Sequence, residues 1–139
     1  MLTPAKFKVI EPFGEMKYKA NEWSGNINGL YPNLNFELNI RVTDFDEDIS
    51  SKIETIKTWM MDYDLDLSKM YHAIFENYRN TKLEKTQEEI EKMYFLSSVT
   101  LNSSGSWGLI LKPEKNVTSV YNQIFLFTIA DGKIVWMNF

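Results

Sequence analysis

The first third of the chain alternates between hydrophobic and polar residues. The pattern predicts strands at residues 6–10 and 16–21, and Asn28-Gly29 and Pro32-Asn33 then predict turns. Residues 34–42 alternate most regularly, with five apolar residues separated by four polar ones. That spacing is typical of a strand with one buried and one solvated face, so we expect the chain to open with a β-sheet.

The middle of the chain changes to a helical spacing. Four apolar residues lie three or four positions apart and would share one helix face: Ile49, Ile53, Ile56 and Met60. Asp48 is the expected N-cap, because its carboxylate can accept a hydrogen bond from a backbone N–H group of the first turn. Residues 62–66 have low helix propensity. Residues 48–79 are therefore either two helices with a break near residues 63–66 or one long bent helix.

A third helix and a second set of strands follow. Thr86 and Glu89 have the spacing of a capping box, which predicts a helix that begins at Thr86. Beyond it, residues 99–101 alternate into a cluster of turn-forming residues at 102–105. Residues 107–113 form the expected partner strand, which ends at a proline.

The strongest hairpin signal lies in the last part of the chain. Asp131-Gly132 suits both central positions of a type I′ turn and separates two apolar runs, residues 123–130 and residues 133–139. This turn would pair Ile129 with Ile134, Phe127 with Trp136, and Leu126 with Met137. Residues 124–127 are apolar on both faces, which predicts a strand that is central in its sheet or covered on both sides. Residues 114–122 are an expected loop.

The order strands, helices, strands predicts the fold class. We expect a single α+β domain over residues 1–139, an antiparallel β-sheet with two or three helices packed on one face and a C-terminal β-hairpin. The 44% hydrophobic and 24% charged residues are those of a globular protein. No stretch approaches 18 apolar residues, and residues 1–20 lack the apolar core of a signal peptide. The expected location is therefore the cytoplasm, without a membrane partner.

The residues that carry most protein chemistry are scarce. The chain has no cysteine and one histidine, His72, which excludes disulfides, thiolate sites and multi-histidine metal sites. Asp62-x-Asp64-x-Asp66 opens like a calcium loop, but it lacks the glycine at the sixth position and the glutamate at the twelfth. We expect no metal, no cofactor and no catalytic residue. An enzyme that uses carboxylates alone stays open, since the sequence cannot choose among 19 acidic residues.

The charge of the chain is uneven. The net charge is −4, and residues 44–66 hold eight acidic residues against Lys52 and Lys57. An acidic stretch disfavours nucleic acid as a partner and favours a basic protein. The candidate partner-binding residues are Asp44, Asp46, Glu47, Asp48, Asp62, Asp64 and Asp66.

The high aromatic content supports an alternative function. The chain contains nine Phe, seven Tyr and four Trp residues. Ligand sites are usually concave and lined by aromatic side chains with few polar groups. The alternative is a small-molecule-binding domain with a pocket among Trp23, Trp107, Trp136 and nearby tyrosines.

Four local motifs occur in a familiar order. They are Phe13-Gly14-Glu15-Met16, Trp23-x-Gly25, Ser104-Gly105-x-Trp107-Gly108-Leu109 and Asp131-Gly132. With the acidic helical middle, this order resembles small uncharacterised bacterial α+β domains, some of which are assigned as immunity proteins of polymorphic toxin systems. The resemblance implies a cytoplasmic protein that neutralises a toxin by binding it, and it implies no catalytic residues.

Overall fold

In the part of the chain that the structure describes, eight strands and three helices form an α+β fold. The computed structural model describes residues 6–29, 34–115 and 120–139. The first strands are β1 (Lys6–Ile10), β2 (Gly14–Tyr18), β3 (Glu22–Asn28) and β4 (Asn35–Arg41). The helices are α1 (Ser50–Met61), α2 (Tyr63–Tyr78) and α3 (Gln87–Met93). The last strands are β5 (Tyr94–Leu101), β6 (Trp107–Pro113), β7 (Phe125–Ala130) and β8 (Lys133–Met137).

The eight strands form one sheet in the order in which they occur along the chain. Every neighbouring pair is antiparallel except β4 and β5, which run parallel. The expectation of a purely antiparallel sheet is wrong at this pair. The reason is the connection, because the three helices between β4 and β5 form a crossover long enough to return the chain to the same end of the sheet.

The core lies on the side of the sheet that the helices contact. Trp59 of α1 stacks on Trp107 of β6 with ring centroids 5.0 Å apart, and Tyr71 of α2 donates a hydrogen bond to the carbonyl oxygen of Tyr94 on β5. Strand β4 buries its apolar positions as expected, Phe36, Leu38 and Ile40, and Val42 just after it is buried too. The alternation is broken at Asn39, which is also buried and donates hydrogen bonds to Ser98 and Thr100. The opposite face of the sheet is mostly polar.

The helical segment is two helices rather than one bent helix. The break falls at Asp62, which ends α1 and precedes α2, one residue before the expected position. Asp48 is not the N-cap of α1, because that position belongs to Ile49. The Asp48 carboxylate instead accepts the backbone N–H of Ser50 at 3.0 Å. The predicted capping box is confirmed, because Thr86 and Glu89 form it at the start of α3.

The hairpin of β7 and β8 turns at the expected residues. Asp131 and Gly132 both have positive φ, 51° and 72°, as a type I′ turn requires. Ile129 pairs with Ile134 as predicted, but Trp136 pairs with Thr128 and Met137 with Phe127. The other two expected pairs are wrong, because a bulge leaves Val135 without a residue opposite and shifts the register by one.

Of three further expectations, one is met only in part and two lie partly or wholly outside the described residues. Strand β7 lies between β6 and β8, but Ile124 and Leu126 are exposed, so the segment is not covered on both sides. The expected loop at 114–122 is described only in part, since residues 116–119 lie outside the described residues. The turn expected at Pro32-Asn33 also lies outside them.

Candidate functional site

The loop between β4 and α1 carries four of the seven candidate acids. Glu47 is turned toward its own chain, since its carboxylate pairs with the Lys52 ammonium at 2.6 Å and accepts the Thr43 backbone N–H at 2.9 Å. These bonds, led by the one from Lys52, lower the pKa of Glu47. The other three acids, Asp44, Asp46 and Asp48, are exposed. Glu47 therefore anchors the loop, and three carboxylates face solvent.

Hydrogen bonds and an aromatic anchor hold this loop. Asp44 accepts the backbone N–H of Asp46 at 2.9 Å. Asp48 accepts from the hydroxyl of Ser50 at 2.6 Å and from its backbone N–H, and these bonds lower the pKa of Asp48. Between them, the Phe45 ring packs 5.4 Å from the ring of the buried Trp23. The three exposed carboxylates are thus presented on a loop with an ordered backbone.

The other three candidate acids lie where α1 meets α2. Asp62 and Asp64 are exposed, but Asp66 is buried. Its carboxylate accepts a hydrogen bond of 2.8 Å from the indole nitrogen of Trp59. The twelve residues of α1 separate this junction from the first loop by about 18 Å, at 1.5 Å per helical residue. The acids therefore form two separate groups, and Asp66 belongs to neither surface.

The negative charge of the chain is concentrated in its helical part. Residues 44–93, which include all three helices, contain thirteen acidic and seven basic residues, a net charge of −6. The rest of the chain contains six acidic and eight basic residues, a net charge of +2. The helical part therefore attracts cations, and the strands do not add to that attraction.

The three tryptophans of the alternative site are not brought together. Trp23 and Trp107 are buried on the core side of the sheet, where Trp23 contacts Tyr18 and Phe45. Trp136 is exposed on β8 and pairs with Thr128, which lies on the opposite, polar face. The indole rings are therefore core residues in two cases and a surface residue in the third.

A concavity that the tryptophans do not line lies beside α2. It is a groove of about 770 Å³, open to solvent on one side. Its walls are formed by Leu34, Asn35, Tyr63, Leu67, Tyr71, Lys92, Phe95, Leu96, Glu114 and Lys115. A smaller hollow of about 380 Å³ continues it and shares Leu67 and Tyr71. The volume of the groove falls within the range of small-molecule sites.

The tyrosines of the groove sit in a partly dry, negatively charged setting. Burial raises the pKa of Tyr71 well above its ordinary value, and the nearby carboxylates of Glu91 and Glu114 add to the shift. Burial also raises the pKa of Tyr63, helped by Asp64. Both hydroxyls therefore stay protonated at neutral pH and cannot act as bases, and the Tyr71 hydroxyl already donates its hydrogen bond to the carbonyl oxygen of Tyr94.

Within the described ranges, the structure shows neither a metal-ligand cluster nor a pair of buried carboxylates. No three His, Asp or Glu side chains there come together in a group that could hold a metal ion. Asp66 is the one buried carboxylate of those residues, and its partner is an indole rather than a second carboxylate. No helix of the described chain is long and apolar enough to cross a membrane.

Comparisons with known proteins leave the family open. The chain shows no significant match to a protein-family model, to a curated protein or to a solved structure. The candidate sites must therefore be judged by their geometry.

Sequence reasoning missed both the groove and the burial of Asp66. The groove brings together residues of β4, α2, α3 and β5, and no local pattern predicts such an assembly. Asp66 did leave a signal, because it precedes the buried Met70 and Ile74 by four and eight residues and so shares their helix face.

Proposed function

We propose that this chain is a bacterial immunity protein, a non-catalytic module that neutralises a basic toxin by binding it through an acidic surface. The observation that carries the proposal is the set of exposed carboxylates on the ordered loop before α1: Asp44, Asp46 and Asp48. Complementary charge raises the rate of encounter and selects the orientation of a partner.

The proposed surface is narrower than the acidic stretch of the sequence. Asp66 is hydrogen-bonded inside the fold and Glu47 is paired with Lys52, so neither is free for a partner. Asp62 and Asp64 lie at the far end of α1, where they extend the surface. In this proposal the three helices cover one face of the sheet, and their net negative charge gives the partner a single side to approach.

The proposal is tested by toxin protection in cells. Any toxin domain encoded beside the gene of this chain is co-expressed with wild-type protein or with a variant in which Asp44, Asp46 and Asp48 are all changed to Asn. Asn keeps the side-chain oxygen that accepts the backbone N–H groups, so the loop is retained while the charges are lost. A matched control changes two exposed acids on the strands, Glu15 and Glu37, to Gln.

Wild type and the Glu15/Glu37 control should protect cells, and the triple Asn variant should protect poorly. Equal protection by the triple variant would remove the acidic surface from the proposal. A neighbouring gene set without any toxin that this chain neutralises would remove the immunity function itself.

The groove supports a second candidate function, the binding of a small molecule. Its volume of about 770 Å³ and its walls of Tyr63, Phe95 and Leu67 are the specific observations that favour it. A thermal-shift screen of small aromatic compounds tests this function. Compounds that stabilise wild type should fail to stabilise Leu67→Arg, which fills the groove, but should still stabilise Leu65→Arg, at an exposed position on the same helix. Hits that bind both variants alike would exclude the groove as their site.

A further inference from the structure

The face of the sheet opposite the core carries a straight row of paired residues. Asn39 of β4 lies opposite Thr100 of β5, which in turn lies opposite Gly108 of β6. Gly108 also faces Thr128 of β7, and Thr128 lies opposite Trp136 of β8. Directly paired residues point to the same face of a sheet. The row therefore runs from an amide through two hydroxyl side chains to an indole, and Gly108 leaves a gap in it.

A hollow of about 240 Å³ lies over this gap, and we call it the Gly108 hollow. Its volume is just below the range of sites for drug-sized ligands, so it has room for one small ring. Its lining includes Thr100, Gly108, Thr128 and Trp136 of the row. The lining residues on either side of the row differ in character, polar on one side and apolar on the other: Arg41 and Asn102, and Ile110 and Leu126.

The described part of the chain does not require a glycine at position 108. Gly108 is not among the glycines with positive φ, and an added Cβ atom would meet no atom closer than 3.6 Å, at Thr100. A glycine inside a strand weakens the strand and often marks a place where a ligand approaches the backbone. A larger side chain here would occupy the hollow. Open space is therefore what Gly108 contributes.

The charges around the Gly108 hollow favour a neutral ligand. Arg41 is the one charged residue among the described residues that line it, and the Glu22 carboxylate lies 3.5 Å from the Nε atom of Arg41. A nucleotide or another phosphate ester would find no unpaired cation among these residues, and the net charge of −4 on the chain would repel it. A neutral ligand does not meet this barrier.

The two sides of the hollow match the two kinds of surface on a sugar ring. The C–H groups of the ring carry a small positive charge and pack on the negative face of an aromatic ring, and Trp136 is 53% exposed. The sugar hydroxyls need donors and acceptors at their edge. Asn102 supplies an amide that is held in place by its hydrogen bond of 3.1 Å to Ser106. The Thr100 hydroxyl accepts a bond of 3.3 Å from Asn39, so it can donate its own proton to a ligand.

We propose that the Gly108 hollow binds one ring of a neutral sugar, stacked on Trp136 and hydrogen-bonded by Asn102 and Thr100. The hollow shares no lining residue with the groove beside α2, and no acid of the loop before α1 lines it. The sugar site is therefore separate from both functions proposed above, and its test does not depend on theirs.

A nuclear magnetic resonance titration of the ¹⁵N-labelled protein tests the proposal. The ligands are glucose, galactose, mannose and N-acetylglucosamine, with glucuronate and adenosine for comparison. At least one neutral sugar should shift the backbone signal of Gly108 and the indole N–H signal of Trp136, which Trp136→Ala identifies by its loss. Trp136→Ala should also weaken binding about tenfold, and Trp136→Phe should weaken it less because an aromatic ring remains.

Gly108→Val separates the loss of the site from a loss of folding. Valine favours strands, so thermal unfolding should show a protein at least as stable as wild type. Its side chain occupies the hollow, so binding of the sugar should weaken at least about tenfold, the difference made by 1.4 kcal/mol. Ser24→Val is the matched control, because Ser24 lies on the same face opposite Asn39 but outside the hollow, and it should bind like wild type.

Three results would overturn the proposal. One is that no neutral sugar shifts the Gly108 and Trp136 signals at about 10 mM, a concentration that would mostly fill a site with a millimolar dissociation constant. Another is a folded Gly108→Val protein that binds the sugar as tightly as wild type. The third is that adenosine or glucuronate binds at this position more tightly than every neutral sugar.

Discussion

The indole nitrogen of Trp59 donates a hydrogen bond of 2.8 Å to the carboxylate of Asp66. The bond joins α1 to α2 across the break at Asp62, and the Trp59 ring itself stacks on Trp107 of the sheet. Asp66, an acid of the most acidic stretch of the sequence, therefore fixes the angle between α1 and α2 and anchors both helices to the core. Its role is structural rather than part of a docking surface.

This relationship predicts an unequal response to substitutions at Asp66. Asp66→Ala leaves the indole N–H without its acceptor and should lower the free energy of unfolding by about 2 kcal/mol. Asp66→Asn keeps an oxygen acceptor and should cost less. Urea denaturation measures both. Asp62→Ala is the control, since the exposed Asp62 side chain makes no capping bond, and a loss there as large as that of Asp66→Ala would contradict this role.

The capping box of α3 predicts a loss of stability that depends on pH. Thr86→Ala should cost about 1 kcal/mol, the usual effect of losing an N-cap side chain. The Thr86 backbone N–H lowers the pKa of Glu89 in the folded state. The contribution of Glu89 is therefore present above its unfolded pKa and is lost as the pH falls through its folded pKa. In Glu89→Gln, the free energy of unfolding should fall less steeply as the pH is lowered into the acidic range. An unchanged dependence on acidic pH would contradict the role of Glu89 in the capping box.

Gly132 in the type I′ turn and Gly108 in strand β6 should respond in opposite ways to an added Cβ atom. Gly132 has φ of +72°, so Gly132→Ala should destabilise the protein by about 1–2 kcal/mol, the cost of a left-handed conformation for a residue with a Cβ atom. Gly108 lies within β6, and an added Cβ would meet Thr100 at an ordinary 3.6 Å. Gly108→Ala should therefore be neutral or stabilising. Thermal unfolding measures the melting temperature of each variant. Equal changes in melting temperature for Gly132→Ala and Gly108→Ala would contradict this prediction.

Tyr71 predicts a loss of stability in alkali. Its folded-state pKa lies above the ordinary value of 10.0, so its contribution is fully present below about pH 10 and decreases as the pH rises further. Tyr71→Phe also removes the hydrogen bond to the Tyr94 carbonyl oxygen, at a cost of about 1 kcal/mol at neutral pH. The variant should lose stability less steeply above pH 10 than wild type. An equally steep loss of stability above pH 10 in both proteins would contradict the role of the buried Tyr71 hydroxyl.

Local patterns predicted much of this fold. The strand at residues 34–42, the capping box at Thr86 and the Asp131-Gly132 turn depend on neighbouring residues alone, and each appears in the structure. The parallel pairing of β4 with β5 depends on how three helices return the chain, and the bulge at Val135 depends on packing across the hairpin. Neither leaves a local signal.

The candidate site was harder to predict than the fold. Seven acids formed one stretch in the sequence, but the direction of each side chain divides them: Asp66 is buried and Glu47 is paired with Lys52. The groove residues Tyr63 and Phe95 come from separate elements and meet only in the folded chain. Spacing along a sequence cannot specify such contacts.

The most direct test of the proposed acidic docking surface is the salt dependence of the dissociation constant for a basic toxin domain that this chain neutralises in the co-expression experiment. Titration calorimetry at low and high NaCl should show strong weakening with salt for wild type, because exposed charges are screened within about 10 Å at 0.1 M salt. The variant with Asn at positions 44, 46 and 48 should bind at least about tenfold more weakly at low salt, a difference of about 1.4 kcal/mol, and should respond less to salt. Binding that is equally tight in both proteins and insensitive to salt would contradict the acidic surface as the site of recognition.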